Sequence, residues 1–175
     1  ENITGEQIST PEFKMSDYVK GVVPGTVFTA YVEAGTVPDP NYADNIYKVD
    51  ETFYNRPFWY RTEFELPSSY SEGKRVWLHF DNTNRFADFY FNGEKISGTK
   101  TSTKDVSGHM LRSKFDVTNL VKKSGKNVIA VLITDADQKK TRKAKDPYGV
   151  ACSPSYLAGA GWDWMPYVPG RLAGI

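Results

Sequence analysis

The feature that most limits what this chain can fold into is a two-residue periodicity that begins at Phe58. In "FWYRTEFELP", apolar and aromatic residues take nearly every second position, and Arg61, Glu63 and Glu65 share the opposite side with one tryptophan. Successive side chains of a β-strand point to opposite faces, so this pattern predicts a strand with one buried face. Arg61 is predicted to form a structural ion pair on the other face.

Further strands follow at short intervals, separated by turn residues. "KRVWLHFDN" alternates again, and "FADFYFNGEKISG" predicts a β-hairpin with a type I′ turn at Asn92-Gly93. A turn at Ser124-Gly125 precedes a strong strand over Val128–Thr134. No helix of fair length is predicted after residue 35. The sequence therefore predicts an all-β fold, a β-sandwich of the jelly-roll kind with short N-terminal helices.

The residues before Phe58 carry the weaker helical patterns. "EFKMSDYVKGVVPGT" has loosely helical spacing, and "TVFTAYVEAG", from Thr26 to Gly35, places apolar residues on one face and ends with a glycine. Residues 36–57 are rich in Pro, Asp and Asn and predict a long ordered loop. We expect one domain over 1–175, with a lead-in at 1–57, core strands at 58–135, and a loop with a terminal aromatic segment at 136–175.

Charge and cysteine content exclude several classes of protein. The 22 basic and 21 acidic residues leave a net charge of +1, which provides no overall electrostatic attraction to nucleic acid. The local basic run "QKKTRKAK" is predicted to be a solvated loop, with a polyanion site as the alternative. No apolar run is long enough for membrane insertion. One cysteine and two histidines without ligand spacing predict no metal and no cofactor.

The segment "GAGWDWMPYVPGR" carries the strongest chemical pattern. Aromatic residues make up 14% of the chain, and two of its four tryptophans, Trp162 and Trp164, flank Asp163 here. An indole can stack on the flat C–H face of a sugar, and a carboxylate can accept hydrogen bonds from neighbouring hydroxyls. The alternative is that both tryptophans are core or interface residues and that Asp163 pairs with an arginine such as Arg171. The residues alone leave both interpretations open.

Three strand motifs resemble a known family. "FWYRTEFELP", "VWLHFDNTNRFADFYFNG" and "FDVTNLVKKSGKNVIAVLI", in this order, are similar to the N-terminal, galactose-binding-like jelly roll of glycoside hydrolase family 2. That domain precedes the catalytic barrel in β-galactosidases, β-glucuronidases and β-mannosidases. The upstream "VPGTVFTAYVEAGTVPDPNYADN" and the later "GWDWMP" narrow the resemblance to the β-mannosidase and exo-β-glucosaminidase branch.

The resemblance implies roles for particular residues. In such enzymes the aspartate of the Trp-Asp-Trp motif reaches from the sandwich into the mouth of the barrel and holds hydroxyls of the terminal sugar, which here implies Asp163. The flanking Trp162 and Trp164 help to shape that wall. Asp44 and Asn45 lie in a loop that is near the barrel in relatives, and their alternative role is turn formation.

The resemblance also implies what this chain lacks. The catalytic acid/base and nucleophile glutamates of the family lie on the barrel, and none of the acidic residues here matches that pair. We therefore expect a non-catalytic domain that is inactive alone, with the immunoglobulin-like and barrel domains absent from this chain. Its expected partners are a terminal β-linked sugar and its own barrel. An independent carbohydrate-binding module and a structural spacer are the alternatives. A periplasmic or secreted location, with the signal peptide removed, is favoured.

Overall fold

The structure, a computed structural model, describes residues 3–54, 56–84, 86–98, 106–107, 112–134 and 174–175, with only the backbone at 51–52 and 106–107. The helices are α1 (Gly5–Ile8) and α2 (Val27–Glu33), with 3₁₀ helices at Asn45–Lys48 and Glu51–Tyr54. The strands are β1 (Phe58–Phe64), β2 (Trp77–Phe80), β3 (Phe86–Phe91), β4 (Glu94–Lys95), β5 (Val106–Ser107), β6 (Ser113–Asp116) and β7 (Asn127–Thr134). None of the helices in these ranges is long and apolar enough to cross a membrane.

The strands form two antiparallel sheets, as the sequence predicts. The larger sheet has the order β1-β7-β3-β4, with β5 also paired to β3, and the smaller sheet pairs β2 with β6. Strand β7 is central, since Val131 lies opposite Tyr60 of β1 on one side and opposite Phe89 of β3 on the other. The sandwich prediction is therefore confirmed.

The core lies between the two sheets. Phe89 of the larger sheet is fully buried, and its ring centroid lies 4.5 Å from that of Phe80 and 4.8 Å from that of Phe115 on the smaller sheet. Val131 and Ile133 complete this layer from the central strand. The period-two pattern thus identified the inward side chains correctly, because alternate residues of each strand face the opposite sheet.

The hairpin between β3 and β4 has the predicted turn. Asn92 and Gly93 have φ angles of 49° and 89°, the positive values that a type I′ turn requires at both central residues. The Asn92 side chain has a second use, since its Oδ1 accepts a hydrogen bond from the backbone N–H of Val128 at 2.9 Å. The turn is thereby joined to the start of the central strand.

The helix prediction is confirmed for one segment and wrong for the other. Helix α2 begins after Thr26, whose hydroxyl accepts a hydrogen bond from the Thr29 N–H at 3.1 Å, and Gly35 follows it with a φ of 69°. Residues 12–26, by contrast, contain no helix. Phe13 packs on the outer face of the larger sheet, whereas Tyr18 is exposed. A helix needs one continuous apolar face, and these contacts do not share one.

The N-terminal residues cover the outer face of the larger sheet. Ile8 is buried in a second cluster with Tyr90 and Ala130, and Phe13 and Trp59 pack against it. Gly5 lies so close to Tyr90 that a Cβ atom there would be 2.2 Å from the ring. Both faces of the sheet are therefore buried, although the alternation in β1 predicts only one.

Arg61 joins this N-terminal cover to β1. Its Nε donates to the carbonyl oxygen of Ile8 at 2.8 Å, and its Nη2 donates to the carbonyl oxygen of Thr10 at 2.9 Å and to Glu63 Oε1 at 2.7 Å. The side chain is only 8% exposed. The predicted ion pair is confirmed. The two hydrogen bonds to carbonyl oxygens also hold residues 4–13 against β1.

We predict that Arg61→Ala lowers the free energy of unfolding by about 3 kcal/mol, because it removes charge-assisted hydrogen bonds and takes away the donor of the buried Ile8 carbonyl. Urea denaturation measures this change. The control is Arg75→Ala, since Arg75 is 75% exposed and its Nη1 lies 3.9 Å from Asp116 Oδ2. That control should change stability by less than ~0.5 kcal/mol. Equal losses in the two variants would contradict the role given to Arg61.

Glu63 should make the stability of the domain depend on pH. Hydrogen bonds from Lys126 and then Arg61 lower the pKa of Glu63 below its ordinary value. The unfolded chain has the higher pKa, so the stabilisation is complete above ~4.3 and is lost as the pH falls through the folded value. Glu63→Gln should therefore cost more stability at pH 7 than at pH 3, as measured by urea denaturation at both. A cost that does not change with pH contradicts this prediction.

Candidate functional site

The two segments that hold the candidate residues are both connected to the same end of the larger sheet. β1 begins at Phe58, opposite Ile133, and β3 begins at Phe86, opposite Thr134. The starts of β1 and β3 therefore lie beside the end of β7. The loop 36–57 leads into β1 and the segment 135–173 follows β7, so both are attached at this end.

An aromatic cluster packs the loop 36–57 against helix α2. The ring of Tyr31 on α2 lies 5.1 Å from that of Phe53, which lies 5.0 Å from that of Tyr54. The guanidinium of Arg56 sits 4.0 Å from the Phe53 centroid. Burial, followed by the charges of Tyr31 and Asp50, raises the pKa of Tyr54. These edge-to-face and cation–π contacts hold the loop close to the start of β1.

Asp44 and Asn45 are engaged within their own loop. Asn45 Nδ2 donates to the carbonyl oxygen of Asp39 at 3.1 Å, and Asn45 Oδ1 accepts from Lys48 Nζ at 3.2 Å. The same ammonium pairs with Asp44 Oδ1 at 2.8 Å. These contacts support the turn-forming role. The Asp44 side chain is nevertheless 69% exposed, so its carboxylate can still accept hydrogen bonds from a ligand.

Two tyrosines in the same loop were not selected from the sequence. Tyr42 is 73% exposed and Tyr47 is 87% exposed, and they lie on either side of Asp44 and Asn45 in the chain. Exposed rings beside a carboxylate and an amide can offer stacking and hydrogen bonding to a sugar. The signal that could have identified them is their position among turn-forming residues, which favour exposed loops.

Trp162, Asp163 and Trp164 lie outside the described residues. The described chain resumes at Gly174, which forms a reciprocal pair with Asn84. The Asn84 N–H donates to the Gly174 carbonyl at 3.0 Å, and the Gly174 N–H donates to the Asn84 carbonyl at 3.2 Å. The Gly25 N–H donates to the Ile175 oxygen at 3.0 Å. The segment that carries the Trp-Asp-Trp motif is thus attached to the sandwich at both of its ends.

Three of the described carboxylates, Glu63, Glu72 and Asp116, have the opposite electrostatics from a glycosidase acid. The hydrogen bond from Lys123 lowers the pKa of Glu72, and that from Thr118 lowers the pKa of Asp116, as the contacts above do for Glu63. A general acid for glycoside cleavage needs a raised pKa. In the described ranges, moreover, no three His, Cys, Asp or Glu side chains are grouped as metal ligands.

Comparison with known proteins identifies the family. The profile described as glycosyl hydrolase 2 galactose-binding domain-like matches residues 6–175. The chain therefore belongs to the galactose-binding-like domains of glycosyl hydrolase family 2, and the resemblance noted in the sequence is confirmed. The domain type agrees with the antiparallel sandwich described above.

The relatives lie in the branch that the sequence motifs predict. A mannosylglycoprotein endo-β-mannosidase from Lilium longiflorum is 30% identical over 99% of this chain and 18% of its own length. An exo-β-D-glucosaminidase from Streptomyces avermitilis is 29% identical over 96% of this chain and 16% of its own length. The chain thus spans less than a fifth of these curated relatives.

A solved structure shares the fold. The exo-chitosanase of Amycolatopsis orientalis superimposes with a TM-score of 0.65 at 26% sequence identity. The likeness covers 77% of this chain and 15% of that one. In that enzyme the corresponding sandwich is one part of a much longer chain.

We predict unequal effects for the two candidate residues of the loop. Asn45→Ala should lower the free energy of unfolding by about 1 kcal/mol, because it removes hydrogen bonds at both ends of the amide. Asp44→Ala should cost less than ~0.5 kcal/mol, because its ion pair is exposed. Urea denaturation of both variants distinguishes them. A larger loss for Asp44→Ala would show that the exposed pair, not the amide, holds the loop.

Proposed function

We propose that this chain is the non-catalytic sandwich domain of a longer family 2 retaining β-glycosidase, where it packs on the catalytic barrel and contributes to the subsite of the terminal sugar. The observation that carries the proposal is the family match over residues 6–175, which includes the "GWDWMP" motif. We place the catalytic glutamates outside these 175 residues, and we take 1–175 as a single domain that is inactive alone.

Asp163 is the residue to which we assign the sugar contact. A carboxylate can accept hydrogen bonds from two neighbouring hydroxyls, which gives both affinity and orientation. Trp162 and Trp164 would shape the wall around it. The attachment of segment 135–173 and loop 36–57 at one end of the larger sheet supports a shared site there, with Asp44 and Asn45 as further contacts or as loop supports.

The relatives suggest two candidates for the terminal sugar of the substrate, mannose and glucosamine. One relative is named as a β-mannosidase that acts in endo fashion, and another as an exo-enzyme on β-D-glucosamine. Mannose and glucosamine differ at carbon 2, where mannose has an axial hydroxyl and glucosamine an equatorial amine. The proposal therefore includes both β-mannosides and β-glucosaminides as substrates of the complete enzyme, with exo action on a terminal residue.

A second candidate function is an independent carbohydrate-binding module, which the exposure of Tyr42 and Tyr47 favours. Such a module would bind a glycan with no barrel present. Calorimetry of the 175-residue chain against manno- and glucosamine oligosaccharides tests this. Binding at millimolar affinity or better supports the module, and no heat across the panel supports the barrel-dependent site.

We predict that Asp163→Ala in the complete enzyme lowers kcat/KM by about tenfold to a hundredfold, the effect of removing a charge-assisted hydrogen bond to the substrate. Kinetics on aryl β-mannosides and β-glucosaminides measure it. The matched control is Asp81→Ala, which removes a 97% exposed carboxylate from the loop between β2 and β3 at the same end of the sandwich. That control should leave kcat/KM unchanged.

Two outcomes would overturn the assignment. Unchanged kcat/KM in Asp163→Ala would remove the residue from the subsite. A fall in melting temperature with turnover preserved would instead indicate a structural spacer, in which the aspartate forms an internal ion pair. Melting curves of the same two variants therefore accompany the kinetics.

A further inference from the structure

We propose that Asn92 is a modification site, an asparagine that deamidates when the N-terminal cover, residues 4–13, detaches from the hairpin turn. Asn92-Gly93 is the one Asn-Gly pair in the sequence. Such a pair is the most reactive setting for an asparagine, because glycine has no side chain to keep its nitrogen away from the amide. The site is separate from the proposed sugar contact and concerns the lifetime of the folded domain.

The reaction is intramolecular until its last step. The Gly93 nitrogen attacks Asn92 Cγ, and the new N–C bond closes a succinimide ring. The Cγ–Nδ2 bond breaks, and ammonia leaves with the proton from the Gly93 N–H. Water then opens the ring at either carbonyl and leaves an aspartate or an isoaspartate. Water is therefore the one co-reactant, and no oxidant or reductant takes part.

The fold engages the attacking nitrogen. The Gly93 N–H donates to Ser9 Oγ at 3.0 Å, and Ser9 is fully buried. The cover also lies against this glycine, since a Cβ atom built on Gly93 would be 3.4 Å from Thr10 Cγ2 and 3.8 Å from the Glu6 carbonyl oxygen. The nitrogen is free to turn toward the amide only after the hydrogen bond to Ser9 breaks, so the cover has to move first.

The fold also holds the amide that the nitrogen attacks. Asn92 Nδ2 donates to the Leu120 carbonyl oxygen and to Asn127 Oδ1, both at 2.8 Å, and Asn92 Oδ1 accepts from the Val128 N–H at 2.9 Å. Asn127 Oδ1 also accepts from the Lys122 N–H at 2.7 Å, so the Asn127 amide is held with its oxygen toward Asn92. These hydrogen bonds resist the side-chain rotation that ring closure needs.

Arg61 holds the cover on both sides of Ser9. Its Nε donates to the Ile8 carbonyl oxygen at 2.8 Å, and its Nη2 donates to the Thr10 carbonyl oxygen at 2.9 Å. Detachment of a short terminal segment costs less free energy than unfolding of a central strand. The Arg61 contacts therefore control how often Gly93 is released, and with it the rate of deamidation.

Deamidation destroys the contacts of the turn. An ionised carboxylate at position 92 has no hydrogen to donate, and it would face two acceptors, the Leu120 carbonyl oxygen and Asn127 Oδ1. Isoaspartate also inserts a methylene group into the backbone of a turn whose φ angles are 49° and 89°. The hairpin then loses its connection to the start of β7, and the modified chain is less stable than the original.

Peptide mapping measures the reaction at this site alone. Trypsin cleaves after Arg85 and Lys95 and releases "FADFYFNGEK", in which Asn92 is the only side-chain amide. The conversion of amide to acid is read from the mass of this peptide, after incubation of the 175-residue chain at neutral pH without denaturant. Incubation in urea above the unfolding midpoint gives the unprotected rate.

Two substitutions should speed the conversion in the folded chain. Ser9→Ala should speed it about fivefold, because it removes the acceptor of the Gly93 N–H. Arg61→Ala should speed it about tenfold or more, because it releases the residues on both sides of Ser9.

The matched control is Ile133→Ala, which lowers global stability through the main core. Ile133 is fully buried and lies near the end of β7, whereas Asn127 and Val128 begin that strand. The control leaves the contacts of Ser9 and Asn92 in place, so conversion should change by less than about twofold while the chain stays folded.

Three results would overturn the proposal. Equal acceleration by Arg61→Ala and Ile133→Ala would show that global unfolding, not detachment of the cover, controls the reaction. Unchanged or slower conversion in Ser9→Ala would show that the Ser9 hydroxyl does not restrain Gly93. Conversion of the folded chain at the rate of the urea-unfolded chain would show that the fold gives no protection.

Asn92→Asp tests the consequence of the modification. It should lower the urea midpoint at pH 7 and lower it less at pH 3, where a protonated carboxyl can donate in place of the amide. The control is Asn119→Asp at an exposed position, which should leave the midpoint unchanged. An equal loss in the two variants, or a loss in Asn92→Asp that does not depend on pH, would contradict the role given to the amide.

Discussion

The pairing of the central strand β7 with both β1 and β3 is the constraint on which the rest of the structure depends. Val131 and Ile133 face the smaller sheet, and Val128 and Ala130 face the N-terminal cover; all four are almost completely buried. A strand buried on both faces and paired along both edges has a strongly specified register, since a shift by one residue would exchange its two sets of side chains. This strand therefore sets the positions of its neighbours and of the loops at their ends.

The same constraint explains the N-terminal segment. A sheet with two apolar faces needs a cover on each, and the smaller sheet protects only one. Residues 4–13 supply the other cover, but α1 is too short to be stable alone. Its stability comes from Gly5 against the Tyr90 ring and from the carbonyl contacts of Arg61. Arg61 of β1 thus stabilises a helix that lies some fifty residues earlier in the chain.

Sequence reasoning was accurate where a pattern is local and failed where a contact is distant. The alternation in β1, the Asn92-Gly93 turn and the capped helix after Thr26 were all predictable, because each depends on neighbouring residues. The short helix predicted between Glu12 and Pro24-Gly25 was wrong because Phe13 is held by the outer cluster, which no local spacing reveals. The pairing of Gly174 with Asn84 was likewise hidden, since it joins segments that are distant in the chain.

The sequence by itself determined the class of fold, the inward faces of the strands and the family, because periodicity and motif order are properties of the chain alone. Tertiary structure decided that both faces of the larger sheet are covered, and that loop 36–57 and segment 135–173 are attached at one end of it. The physical reason is strand pairing. Backbone hydrogen bonds join β7 to residues of β1 about seventy positions away and to residues of β3 about forty positions away, and only that pairing brings the ends of distant segments together.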